Sequence, residues 1–356
     1  MPTLSKHTLL QPFLWGILHC LNDFIAGFML ANYTYHHSYS DSFLFIVIYS
    51  VLAFGGQLPV GFWMDAQKKI KPFVQATVVL LPLSIIVFLI DPAMGIICSG
   101  IASALVHVSG GTICLQVNDG KAGPLAIFTA PGVLGLTLGG LLGAISMQWL
   151  WVFLVLVIMV EWFILQLATP VYPIRSTKSA QLDGHDWMMM SILLIMCFRS
   201  FIFDVINQVS FNFEDGIFII GISAFVGKII GGLVADKIGW KKFVYISLPI
   251  TFLCFQFGKD NMYALSFGIA CLQSSVPISF LLMGNSLANY PATASALTLG
   301  TSIALAGLPL YLVSDKTTIM DGFANNWLSA LFLLLIIVAW WLLDRLFYRP
   351  NTDPPL

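Results

Sequence analysis

The chain has 356 residues, 58% of them hydrophobic and only 9% charged, with a formal net charge of −1 and a mean hydropathy of +0.89. A soluble domain carries about 25% charged residues, so this chain has too little charge to cover a surface in water, and its solvent is lipid. The near-neutral balance gives no sign of a nucleic-acid partner.

A membrane span needs about 20 apolar residues. About twelve such runs follow one another, centred on 13–35, 42–63, 72–90, 93–117, 122–145, 149–168, 188–210, 216–236, 242–258, 261–283, 288–312 and 326–347. The first is too long for a signal peptide, has one Lys before it and no small-residue cleavage site, and reads as a spanning helix. The six cysteines all fall inside apolar runs and form no CxxC, so neither a disulfide framework nor a metal site is expected. The links are short. The longest, 169–186, carries Pro170, Pro173, Arg175, Lys178, Asp183 and Asp186. It separates an N-terminal bundle (1–168) from a C-terminal bundle (187–356), with six spans expected in each.

Loop lysines and arginines set orientation. Lys6, Lys68, Lys69, Lys71, Lys121, Arg175, Lys178, Lys237, Lys241, Lys242, Arg345 and Arg349 fall on one side, against Lys259 and Lys316 on the other. Both termini and the central linker are therefore expected in the cytoplasm.

Between spans eight and nine lies GLVADKIGWKK. Gly232 and Asp236 are four residues apart and share a helix face; Lys237, Gly239, Lys241 and Lys242 make a basic turn. A fainter copy, GFWMDAQKK, holds Gly61, Asp65, Lys68 and Lys69 between spans two and three. Aligning the two aspartates sets Gly61 on Gly232 and Gln57 on Lys228. The fifth span (Phe128–Gly143) and the eleventh (Ala292–Leu310) hold matching places and are both rich in small residues, which let helices approach closely. The pattern is that of a parallel repeat of six spans.

These features resemble the major facilitator superfamily, whose loop motif G-x-x-x-D-[RK]-x-G-[RK]-[RK] matches Gly232, Asp236, Lys237, Gly239, Lys241 and Lys242, with Trp240 inserted. The upstream copy departs from it: Ala66 follows Asp65, and no Gly occupies the turn. His19–Gly27 and Pro291–Leu310 are similar to the first and eleventh helices of fosmidomycin-resistance-type efflux proteins. Gly139 and Gly140 stand where antiporters of the superfamily carry Gly-Pro, with Pro131 upstream. The resemblance implies an all-α integral membrane protein of two six-helix pseudo-repeats in a bacterial inner membrane. It also implies a path lined by the first helix of each triplet.

An intramembrane charge costs about 2.5–3.5 kcal/mol on insertion scales and marks function by default. Asp23 lies about ten residues into the first span, near 15 Å and hence mid-depth. His19 shares its face, and such a pair can exchange a proton as the site turns from wet to dry; the bland reading is a packing pair. Arg199 and Lys228 fall at similar depth on sequential spans and suggest an anion site, against simple pairing with Asp204 or Glu161. His107 reads as cavity lining or an interhelical hydrogen bond. Asp204, near the outer surface, reads as a binding contact or a polar mouth with Asn207 and Gln208. Gln273, Ser274 and Ser275, with Pro277 beyond, interrupt span ten and offer a polar surface. Glu161, in a span whose counterparts face lipid, reads as structural or interfacial. Gly61 with Asp65, and Gly232 with Asp236, read as a gate: the glycines admit a neighbouring helix and the aspartates meet its positive end.

No Walker A, HExxH or GxSxG occurs, so an enzyme is not expected; His36-His37 is too little for a metal site, and no cofactor is implied. The expected protein is a monomeric secondary transporter, exporting a small polar or anionic compound in exchange for protons. Its competitors are proton-coupled uptake of an organic acid or sugar, and a non-transporting membrane receptor or scaffold whose midplane charges all pair off.

Overall fold

A computed structural model describes residues 6–143, 147–172, 184–210, 215–258, 260–312 and 327–347, which are almost wholly helical. The N-terminal part holds α1 (Lys6–His36), α2 (Tyr39–Ser50), α3 (Gln57–Gln67), α4 (Lys71–Ile90), α5 (Pro92–Val117), α6 (Ala122–Leu142) and α7 (Trp149–Gln166). The C-terminal part holds α8 (Gly184–Ser210), α9 (Gly216–Ile238), α10 (Trp240–Phe257), α11 (Met262–Gln273), α12 (Val276–Ser286), α13 (Pro291–Ala296), α14 (Ser302–Leu312) and α15 (Trp327–Leu342). Nine helices among the described residues are long and apolar enough to cross a membrane. The other three expected runs are helical too: they hold α10, the α13–α14 rod, and α15 with its 16 residues. Most of the central linker lies outside the described residues, as do Arg175, Lys178, Lys259, Lys316 and Arg349.

Local chemistry sets the helix ends. Pro92 and Pro291 open α5 and α13, where a missing N–H costs nothing. Asp91 caps α5 by accepting from Met94 N (3.1 Å), and Asn261 caps α11 by accepting from Tyr263 N and Ala264 N. Three spans are broken internally. A π-turn at Val51–Gly55 joins α2 to α3, and another at Leu297–Thr301 joins α13 to α14. Span ten breaks between Gln273 and Val276, where Pro277 cannot donate to the helix.

Glycines then decide which helices touch. α1 runs against α6 and α5, α6 against α9, and α9 against α11. A methyl group at Gly27 would lie 2.6 Å from Leu136 O, and one at Gly232 would lie 2.5 Å from Ala126 Cβ. Without a hydrophobic drive between helices in lipid, such close approach supplies the packing energy. The α6–α9 and α3–α13 contacts join the two parts of the chain. The two π-turns meet there as well, and a methyl at Gly300 would come within 2.5 Å of Phe54 O. The outer face of α7 exposes Trp149, Trp151 and Trp162 toward its two ends, as lipid-facing helices do.

Of the two readings of Glu161, structural or interfacial, its burial fits the structural one. It is 1% exposed, on the face of α7 that packs against α1 and α4, because the exposed Trp162 and Met159 occupy the lipid side instead.

Candidate functional site

The first cluster is built by α1, α5 and α6. Pro131 inside α6 lacks the N–H that would bond Ile127 O. One residue on, the carbonyl of Phe128 accepts from His19 Nδ1 at 2.9 Å. A carbonyl only accepts, so Nδ1 carries the hydrogen, and Nε2 faces Asp23 Oδ2 at 3.1 Å. That contact needs one proton between them. The pair is either imidazolium with carboxylate or imidazole with carboxylic acid. Asn22 Nδ2 donates to Asp23 Oδ1 (2.8 Å) and to Ser103 Oγ (3.1 Å), which also accepts from Tyr49 OH at 3.3 Å. His107 Nδ1 donates to Ser103 O at 2.8 Å, leaving Nε2 turned toward Asp23 Oδ1 at 3.7 Å, beyond hydrogen-bond reach. Gly132 leaves the room for this arrangement, since a methyl there would lie 2.6 Å from Asp23 Oδ2. Both histidine side chains are 6% exposed, against 15% for Asp23.

His19, Asp23 and His107 are also a set whose ligand atoms fall within 4.8 Å of one another, close enough for a metal ion. Two features favour a proton there. The His19–Asp23 contact is already a closed hydrogen bond. Lys228 also lies within electrostatic range of Asp23, where its charge opposes a divalent cation.

The second cluster belongs to α8, α9 and α11. Arg199 is buried; its Nη1 donates to Gln273 Oε1 at 2.8 Å and its Nη2 to Ser200 Oγ at 3.0 Å. Its Nε is buried with no hydrogen-bond partner. Lys228, partly buried, donates to Thr129 O at 3.3 Å, the carbonyl next to the one that holds His19. Lys228 feels both Arg199 and Asp23, and Arg199 feels Asp204. Among the described residues neither cation forms an ion pair within 4.0 Å. Asp204 is turned toward α14, where a methyl at Gly307 would lie 3.2 Å from its Oδ2.

The repeated loop motif makes two reciprocal contacts. Asp236 accepts from Ala122 N (2.7 Å) and Gly123 N (2.8 Å), the first residues of α6. Asp65 accepts from Ala292 N (3.2 Å), Thr293 N (2.7 Å) and Thr293 Oγ1, at the start of α13. Each aspartate thus satisfies orphan donors of a helix in the other part of the chain. Gly61 and Gly232 permit the approach: methyls on them would lie 2.8 Å from Ala292 O and from Ala122 O. Of the motif lysines, Lys241 pairs with Asp344, while Lys237 and Lys242 are exposed.

Some contributors were not among the sequence candidates. Asn22, Tyr49 and Ser200 are side chains whose role depends on a partner far along the chain or on rotamer. The carbonyls of Phe128 and Thr129 have no residue-type signal at all. Ser295, which donates to His107 O at 3.2 Å, joins α13 to α5 in the same way.

The fold is that of the major facilitator transporters. The chain aligns with a crystal structure of such a transporter, FucP, in the outward conformation, with a TM-score of 0.69 and 13% identity over 95% of this chain and 98% of that one. A variant of the E. coli fucose:proton symporter FucP gives 0.66 at 12% identity, over 95% and 98% of the two chains. A bacterial homologue of the iron transporter ferroportin, in an outward-facing state, gives 0.63 at 12% identity over 96% and 99%. No protein-family model and no curated protein matches the sequence.

Proposed function

We propose that this chain is a secondary active transporter that couples protons to the movement of a small anionic or polar compound. The observation that carries this reading is the pair of cations, Arg199 and Lys228, neither of which forms an ion pair within 4.0 Å among the described residues, Asp204 and Asp23 acting on them only from farther off. A cation out of water and unpaired is costly, so a binding partner from solution is the natural complement. A scaffold whose midplane charges pair off does not have this arrangement. Arg199 presents a planar fork and Lys228 a point charge; Gln273 holds the fork.

His19 and Asp23 carry the proton in this scheme, with His107 as a second acceptor beside Asp23 Oδ1. Two neighbouring carbonyls of α6 connect the pieces: one fixes His19, the next holds Lys228. An anion that draws Lys228 toward Arg199 releases Thr129 O and alters the field at Asp23, which links occupancy to the proton. The architecture proposed is twelve spans in two six-helix halves, with both termini in the cytoplasm of a bacterial inner membrane. The Asp65 and Asp236 contacts latch the cytoplasmic side and break when the halves rock.

Proteoliposomes with an imposed pH gradient test the reading. Substrate-dependent proton movement is expected across a panel of organic acids, phosphonates and sugars. Movement of proton and substrate in opposite directions identifies export, and movement in one direction identifies uptake. Absence of proton movement with every ligand rejects coupling.

A further inference from the structure

An apolar groove of about 460 Å³ opens on the outside of the bundle between α3, α4 and α5, away from both clusters. Its walls include Val60, Trp63, Phe73, Ala76, Leu80 and Leu105, and Gln67 stands at one end. That end is the turn carrying Lys68, Lys69 and Lys71, all exposed. None of the three is ion-paired among the described residues. Asp65, the carboxylate nearest to them in sequence, is buried and spent on α13.

We propose that this groove is a site for one anionic phospholipid, with its phosphate on the lysine turn and one acyl chain along the groove. The dimensions match. Lys71 to Leu80 is nine helical steps, or about 14 Å at roughly 1.5 Å per residue, close to one leaflet of a hydrocarbon core about 30 Å thick. The charge matches too, because basic pockets between transmembrane helices at the membrane surface bind anionic headgroups. Trp63, 62% exposed and packed edge-on to Phe73 at 5.2 Å, lies where an indole meets the headgroup level. Gln67 offers an amide to the ester region. Lys68 adds a further sign. It takes a left-handed conformation (φ 52°, ψ 34°) at the end of α3, where Gly is the unstrained choice. A cation is held there against that cost.

Native mass spectrometry of the full chain in detergent tests the proposal, with phosphatidylglycerol and phosphatidylcholine titrated separately. One phosphatidylglycerol is expected to bind in preference to phosphatidylcholine. Each lysine changed to Gln is expected to weaken it about fivefold, and the triple variant roughly 100-fold. Ala76→Trp, which fills the groove and leaves the lysines, is expected to weaken it as well. Equal retention of the two lipids overturns the proposal. So does unchanged phosphatidylglycerol binding in the triple variant. If Ala76→Trp binds as the parent does, the lysines act as a general basic surface and the groove is not the site. Transport in proteoliposomes is a separate readout, so neither result bears on the proton-coupling reading.

Discussion

The two parts of the chain hold opposite chemistry on one scaffold. The N-terminal part brings together a carboxylate and an imidazole that share a proton, with a second imidazole nearby; the C-terminal part brings together a guanidinium and an ammonium whose hydrogen-bond partners are all neutral. The aligned pair Gln57 and Lys228 shows the divergence at one position. Gln57 is fully buried and donates to Ala53 O in the π-turn just before its own helix. Lys228 crosses to the other part of the chain. On the function proposed above, this separation lets proton and anion be handled by neighbouring but distinct groups.

Removing the proton from one side of this comparison gives the largest effect. Asp23→Asn is expected to abolish substrate-dependent proton movement in proteoliposomes while leaving equilibrium anion binding within about twofold, since Asn keeps one carbonyl acceptor for His19. Retained coupling sinks the proton assignment. On the other side, Arg199→Gln and Lys228→Gln each remove a charged hydrogen-bond donor worth about 1.5–3 kcal/mol, so anion affinity is expected to fall roughly 10- to 100-fold. Calorimetric titration measures it, and full retention in both variants refutes the anion site. Arg199→Lys is expected to fail as Gln does if the fork matters, and to rescue if only charge matters.

The reciprocal caps sharpen the contrast at lower cost. Asp65 is buried with three donors on it, whereas Asp236 is more exposed with two. Replacing a helix cap costs about 0.5–2 kcal/mol, so Asp65→Ala is expected at the top of that range and Asp236→Ala nearer the bottom. Cysteine-labelling from the cytoplasmic side, read as rising accessibility, separates a latch from a purely structural cap. The smallest effects lie at the turns. Gly239 holds φ 88° in one copy and Lys68 holds φ 52° in the other. Gly239→Ala is expected to lower stability by about 1–2 kcal/mol, and Lys68→Gly to raise it by about 1 kcal/mol in lipid-free detergent. Thermal unfolding decides both, and equal signs in the two positions would falsify the account of the turns.

Much of the fold was legible because lipid imposes a simple rule: every backbone group bonds internally, so apolar runs of sufficient length become helices. The Gly-to-Asp spacing of GLVADKIGWKK was likewise readable, since a small residue and an acceptor on one face have few uses at a helix end. The breaks in α2–α3 and α13–α14 were not, because π-turns answer to packing between helices and leave no residue-type mark. For Glu161 the sequence left structural and interfacial readings open, because a single carboxylate in an apolar helix says nothing about which face meets lipid; in the fold Trp162 and Met159 are exposed and Glu161 is buried.

Composition and spacing by themselves determined a multi-span helical bundle and the candidate ionisable residues at its mid-depth, because hydrophobic length and the cost of buried charge are local properties of a chain. Only the tertiary structure decided which of those residues meet. His19 and Asp23 are neighbours on one helix, but His107 joins them from α5, Thr129 O receives Lys228 from α9, and each motif aspartate caps a helix more than 100 residues away. Those pairings rest on the glycine contacts of α1 with α6 and α6 with α9, where side chains are absent and backbones touch. A contact of that kind depends on the rotation and depth of two helices together.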